Sequence, residues 1–430
     1  MPHPMPAQSV AARMLLLALA AGAALSCPPA LAATAQPDPG VAASARATAP
    51  LTLDQALALA LDRQPEFAAA RREIEAADGL LDQAGRLPNP VLSGSVEDLR
   101  SGSRTSAFQI SQQIELGGKR EARRRAAERG QDGARAFVEA RALALRAAVA
   151  AAFWDALAAR RRRQLAEESA ALAREALDVV ARRVAAGKVS PVDETRARLA
   201  LGAVEIETRQ AAQDSEAARA RLAALLALAP AELGEPDGEL TLPPAAPAPA
   251  RLAELVDAAP EVVAARHDAA RREAQVDIER SRAVPDVNVG LGLQRNNELG
   301  RNQALVGLSI PLPVFDRNQG LLREALARAD QGRDLVRATA LRVEGEARVA
   351  AALLDSARRQ AALIDDSLLP DARSARDAAT LGFSLGRFGV LDVLDAQRTL
   401  FQVRAQQLRA LADARRAAAE LERLLGTPAF

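Results

Sequence analysis

Residues 287 to 312 read VNVGLGLQRNNELGRNQALVGLSIPL. Val287, Val289, Leu291 and Leu293 alternate with Asn288, Gly290, Gly292 and Gln294; after a polar turn, Val306, Leu308, Ile310 and Leu312 alternate with Gly307, Ser309 and Pro311. A period of two predicts strands with one apolar face and one uncharged polar or glycine face. Upstream, Phe108, Ile110, Ile114 and Leu116 alternate with Gln109, Ser111, Gln113 and Glu115 in the same way. This pattern suits a hairpin resting on a soluble core, or a membrane barrel wall with lipid on one side and water on the other. The strands approach the ~9 to 11 residues that cross a bilayer. Four strands per chain are too few to close a barrel, and an open edge is not tolerated in lipid. The membrane reading therefore requires several chains to share one barrel. The turns Asp98 to Thr105 and Arg295 to Gln303 are polar enough to face the exterior.

The strands belong to a duplicated unit. Pro65-Glu66-Phe67-Ala68-Ala69-Ala70-Arg71 recurs as Pro260-Glu261-Val262-Val263-Ala264-Ala265-Arg266, and Pro90, Ile114, Gly187 and Asp193 find counterparts in Pro285, Ile310, Gly386 and Asp392. Each copy is predicted as helix, strand, loop, strand, very long helix, turn, medium helix. The helices are expected at 66–86, 119–184 and 190–228, then 260–283, 320–382 and 390–425. The long ones exceed ordinary globular helices, and the two shorter ones end to end match a long one along its length. Seven-residue spacings (Leu165, Leu172, Val179; Val192, Leu199, Ile206; Leu394, Phe401, Leu408) favour coiled-coil packing, with alanine permitting close contact. The first repeat is placed at 51–240 and the second at 251–430. A Pro-rich linker lies at 241–250, within the longer Pro-rich stretch from Ala229 to Ala250.

Composition narrows the function. The 430 residues include 49% hydrophobic but only 2% aromatic side chains, with one Trp and no Tyr, which fits long helices packed through small residues better than a globular enzyme. Basic and acidic residues number 56 and 55, so nucleic acid is not an expected partner. Arg13, the apolar run Met14 to Leu25 and Ala30-Leu31-Ala32 read as a signal peptide over 1–32, followed by a linker at 33–50. The apolar run is too short for a spanning helix, and no later stretch is expected to span as one. Cys27 leaves open a rival reading as a lipidated residue. Cleavage after Ala32 would remove the only Cys and every Met, leaving His267 as the one soft-metal donor, so no resident metal centre or other cofactor is expected. No catalytic triad, phosphate loop or dinucleotide fingerprint is present: Gly117-Gly118-Lys119 lacks the flanking residues of a phosphate loop, and Gly290-Leu291-Gly292 lies inside a strand. The terminal Phe430 fits an outer-membrane sorting signal or chance equally.

Three segments, QQIELGGKR (Gln112 to Arg120), SIPLPVFDRNQG (Ser309 to Gly320) and LGRFGVLDVLDAQR (Leu385 to Arg398), on this duplicated frame make residues 51 to 428 resemble the TolC family of outer-membrane efflux channels. Within it, the chain is most similar to the CzcC-type heavy-metal efflux branch. The resemblance implies a mainly α fold with a small β part: a homotrimer whose α-helical barrel crosses the periplasm and continues as a 12-stranded transmembrane β-barrel in the outer membrane. It implies a passive channel and no enzyme, fed by a periplasmic adaptor and an inner-membrane proton-driven pump of the RND type. Divalent heavy-metal cations are the expected cargo; drug efflux, type I secretion and a non-pore coiled-coil adaptor remain alternatives.

The resemblance also implies site residues. Asp392 and Asp395, on one helical face, and Asp193 would form an acidic ring at the periplasmic mouth, favouring cations. The plain alternatives are that Asp392 stabilises a helix start, that Asp395 pairs with Arg398, and that Asp193, beside Glu194, serves a helix start with Ser190 as its cap. The turns at Gly187-Lys188 and Gly386-Arg387 would receive the adaptor, although glycine there also suits an ordinary helix end. Phe383 stands near the place of a hydrogen-bonding Tyr in some relatives and cannot donate such a bond. His267 is expected on the surface or between helices.

Overall fold

The computed structural model describes residues 50–98 and 100–427; the signal peptide with Cys27, nearly all of the linker at 33–50, and Phe430 lie outside the described residues. The chain runs α1 (Leu53–Arg63), α2 (Pro65–Ala84), β1 (Val91–Glu97), β2 (Thr105–Ile114), α3 (Lys119–Ala185) and α4 (Pro191–Leu225). It continues with α5 (Pro249–Val256), α6 (Pro260–Arg282), β3 (Val287–Asn296), β4 (Arg301–Ser309), α7 (Gln319–Leu363), α8 (Leu369–Ser384) and α9 (Val390–Leu425). The duplicated order is as expected, with α1 and α5 as additional short helices. Thr52 caps α1 in a reciprocal box with Gln55, a signal the apolar spacing alone did not carry.

The helices form one layer of four columns. At 67 residues, α3 is about 100 Å long; α2 and α4 pack along one side of it, α6 and α9 along the other, and α7 with α8 lies beyond α6 and α9. Alanine fills the seams, with Ala166, Ala170, Ala173, Ala197 and Ala211 buried. Val192, Leu199 and Ile206 instead stand exposed along α4, at the free edge of the layer. One stretch of α3 is long and apolar enough to cross a membrane by length and composition, contrary to expectation. Its Val149, Phe153, Ala156 and Leu157 pack into the core of the first copy, and Ala147 is buried.

The helix expected unbroken over 320–382 contains a π turn at Ile364–Leu368. Pro370, in the first turn of α8, lacks an N–H and crowds the preceding turn; a widened turn accommodates it. Ile364 stays buried with Ala361, Leu400 and Leu411.

The linker is strapped down. Leu51 and Pro236 form a bridge, with the Leu51 N–H donating to Glu235 O at 2.9 Å. Arg160 donates to Pro236 O at 2.6 Å, Arg415 to Thr241 O at 2.8 Å, and Arg358 to Pro243 O. Leu240 packs against the cores of both copies, so the strap stitches them together.

The four strands form one antiparallel sheet in sequence order. The β3–β4 turn is tighter than expected, only residues 297–300. Ser95 lies opposite Ala107 in the first hairpin and Gly290 opposite Gly307 in the second; the left-handed residues before the long helices are Gly118 and Asn318. These equivalences make Ile310 the counterpart of Ile110, correcting its match to Ile114. One face carries Leu92, Val96, Phe108, Ile110, Leu291, Leu293, Val306 and Leu308, all exposed. The other carries Ser93, Ser95, Gln109, Ser111, Gly290, Gly292 and Gly307. Gln109 lies across the glycines: a Cβ on Gly292 would come within 2.6 Å of Phe108 O and 3.1 Å of the Gln109 Cβ. That crowding, rather than nucleotide binding, accounts for Gly290-Leu291-Gly292.

Candidate functional site

The two turns at the far end of the helical layer share a backbone design. After α3, Gly187 has φ +67°, its N–H donating to Val184 O at 2.9 Å while Lys188 N–H donates to Arg183 O at 2.9 Å. After α8, Gly386 has φ +73°, donating to Phe383 O at 3.0 Å, and Arg387 N–H donates to Gly382 O at 2.8 Å. This pairing satisfies the last helical carbonyls and needs a left-handed residue, hence glycine. A Cβ on either glycine would meet no atom within 4 Å. The two glycines are therefore uncovered by the described residues of their own chain. Lys188 and Arg387 are exposed and make no ion pair among the described residues.

The next helices start differently. Ser190 caps α4, its Oγ accepting from Val192 N at 3.3 Å, and Asp193 is left without an ion pair among the described residues, while neighbouring Glu194 pairs with Arg198 at 2.5 Å. Gly389 has no side chain, so Asp392 reaches back and accepts from Gly389 N–H at 2.8 Å. Asp395, one turn on, is exposed and forms no ion pair with Arg398; among the described residues only its backbone carbonyl is engaged outside the helix ladder, by Thr399 Oγ1 at 2.9 Å. Asp392 and Asp395 thus share a helix face, yet one carboxylate is committed to a cap.

Two contacts at this end escaped the sequence reading. The Arg183 guanidinium stacks over the Phe383 ring, 4.3 Å from its centre, joining the first turn to the second. Phe388 packs onto the buried Gly382, where a Cβ would collide with its ring. The run Gly382-Phe383 with Phe388-Gly389 was the available signal.

At the other end, Asp286 fastens sheet to helices, accepting from Lys119 Nζ at 2.6 Å, Gln113 Nε2 at 2.7 Å and Leu116 N–H at 3.1 Å. Gly117 abuts Val284, with room for no side chain. In the second copy Asn318 donates to Glu279 O and Oε2, both at 2.8 Å. The segments Gln112 to Arg120 and Ser309 to Gly320 are the two halves of this junction. His267 lies between helices, its Cβ 3.8 Å from where a Cβ on Gly133 would sit. Among the described residues, no group of three His, Cys, Asp or Glu side chains is placed to hold a metal ion.

The family model described as "Outer membrane efflux protein" matches residues 56–228 and 252–427. The chain belongs to that family. It is an outer-membrane efflux channel of the TolC type with a periplasmic extension, not an enzyme. It is 42% identical over 380 residues, 88% of this chain and 91% of the relative, to the cobalt-zinc-cadmium resistance protein CzcC of Cupriavidus metallidurans. It is 31% identical over 282 residues, 64% of this chain and 63% of the relative, to the nickel-cobalt-cadmium resistance protein NccC of Alcaligenes xylosoxydans xylosoxydans. The fold matches the crystal structure of the outer membrane protein VceC of Vibrio cholerae with a TM-score of 0.73 at 20% identity, covering 87% of this chain and 96% of that one.

Proposed function

We propose that three copies of this channel protein form one continuous passive duct that carries divalent heavy-metal cations out through the outer membrane. The open sheet supports the trimer. Its outer strands β1 and β4 each have one unpaired edge, and an unpaired edge in hydrocarbon is prohibitive, whereas three four-stranded sheets close into twelve strands. The free columns of the helical layer match this arrangement, with Val192, Leu199 and Ile206 exposed on one side and Leu341, Val349 and Leu353 on the other. A neighbouring copy at each edge covers both stripes and makes a twelve-column tube. The sheet's apolar face then meets lipid, and its glutamine, serine and glycine face lines water.

In this reading Gly187, Lys188, Gly386 and Arg387 receive a periplasmic adaptor, and an inner-membrane RND pump delivers cargo. Asp395, without an ion pair among the described residues, and Asp193 contribute carboxylates around the mouth, present three times each; Asp392 adds its charge while capping α9. Such rings lower the energy of cations in a narrow pore.

The cargo rests chiefly on one observation, the 42% identity across nearly the full length of a protein named for cobalt, zinc and cadmium resistance. A strain lacking this chain should lose tolerance to zinc, cobalt or cadmium and regain it on complementation. Unchanged metal tolerance with new drug sensitivity would overturn the cargo assignment.

A further inference from the structure

The lipid-facing side of the sheet has an upper limit on three of its four strands. Phe108, Leu293 and Ala304 lie at one level, and one step further out the same face turns polar at Ser106, Arg295 and Asn302, with Val96 of β1 the apolar side chain at that level. From Ala304, six residues at about 3.4 Å each carry β4 and its extension some 20 Å toward the helices, to Ile310. With the strand tilt of about 40° usual in such barrels, that run rises about 15 Å of the apolar band of about 25 Å expected of an outer-membrane barrel. The segment that follows, Pro311-Leu312-Pro313-Val314-Phe315, therefore covers the remaining depth, down to the inner boundary of the band.

This segment protrudes. Leu312 is 80% exposed and Phe315 91% exposed. It is nevertheless tethered: Val314 N–H donates to Leu312 O at 2.9 Å, Arg317 Nε to Pro313 O at 3.2 Å, and Asn318 holds Glu279. Pro311 and Pro313 have no N–H to leave unpaired, which lowers the cost of placing this backbone in a poorly hydrated layer. Charged Asp316 and Arg317 follow at once, giving an apolar tip on a polar base.

Outer-membrane barrels ordinarily mark their interfaces with Trp and Tyr. This chain has no Tyr, and Trp154 is in α3, covered by Arg415 4.7 Å from its ring centre. We infer that phenylalanine takes over this role: Phe108 marks the outer interface, and the Pro311–Phe315 protrusion is an anchor that inserts Phe315 between the headgroups and acyl chains of the inner leaflet. The inference rests on the sheet crossing the membrane, as proposed above.

Phe315→Trp and Phe108→Trp, each in a Trp154→Phe background and reconstituted into phospholipid vesicles carrying brominated acyl chains, separate the cases. Blue-shifted emission at residue 315, quenched more by bromines near the headgroup than by bromines near the chain ends, is the expected result. Red-shifted, unquenched emission would place residue 315 in water. Blue-shifted but unquenched emission would place it against a second copy of the chain. Either outcome overturns the anchor while quenching at residue 108 leaves the membrane sheet standing; loss of quenching at both positions defeats the membrane reading itself. If the Trp154→Phe chain does not assemble, a nitroxide on Phe315→Cys, read by its relative exposure to oxygen and to a water-soluble nickel chelate, gives the same depth.

Discussion

The turns at Gly187 and Gly386 have the same backbone and different side chains, and the difference shows where a duplicated protein has specialised. Position 183 of the first turn is Arg where position 382 of the second is Gly, and Val189 stands where the second has Phe388. The second turn folds an aromatic ring onto its own helix; the first sends a guanidinium across to the second. Identical backbones thus become an acceptor and a donor of one contact. The helix starts diverge in parallel, with Ser190 leaving Asp193 out of the cap and Gly389 drawing Asp392 into it.

Breaking the packed side of this comparison should have the largest effect. Gly382→Leu has no room beside Phe388, so it should destabilise the second turn by about 1–3 kcal/mol, read as faster amide exchange over 381–390 with the first turn unchanged.

The copies also differ at their recurring Pro-Glu motif. Among the described residues Glu66 pairs only with Arg141, at 2.6 Å, whereas Glu261 bonds both Arg342 and Arg423, the latter at 2.7 Å. Burial pushes the Glu261 carboxyl upward, but the two guanidiniums outweigh it and hold it below the usual carboxylate range. A depressed folded value means stability that is fully present above the unfolded pKa and is lost as pH falls through the folded one. Glu261→Gln should cost about 1–2 kcal/mol near neutrality, after allowing for partial exposure, and flatten the acid limb of a stability profile. Glu66→Gln should cost less than about 1 kcal/mol.

Gly187→Ala and Gly386→Ala should be nearly equal, about 1 kcal/mol each, because both positions are left-handed and uncrowded. A marked inequality in turn protection would show that one tip is covered by something beyond its own chain. The smallest expected effect is that of Arg183→Leu, which removes a partly exposed cation–π contact worth about 0.5–1 kcal/mol. Arg183→Lys should retain part of it, and amide exchange in both turns is the readout.

Much of the frame was legible because it repeats. Period-two strands, glycine helix ends and the Pro-Glu motif placed six main helices and three of the four strands to within a few residues; the first strand, Val91–Glu97, was expected in order but not located. The π turn was not legible, because Pro370 in a long apolar-periodic helix reads as tolerated or breaking until packing around Ile364 decides. Nor were Asp286 with Lys119, Phe388 on Gly382 and Arg183 on Phe383, since each joins residues through a turn or a neighbouring helix that spacing alone does not bring together. The acids proposed for the mouth could be named from the sequence as a set, Asp193, Asp392 and Asp395, but not by how each is held: only the structure separates an Asp392 that caps α9 from an Asp395 without an ion pair among the described residues.

The most direct test is the reversal potential of the purified protein in a planar bilayer under a salt gradient. A passive duct with a narrow, cation-favouring mouth predicts steady conductance and a reversal potential of cation-selective sign, with Asp395→Asn shifting it toward zero. Absence of conductance, or anion preference in the unmodified protein, would contradict the account.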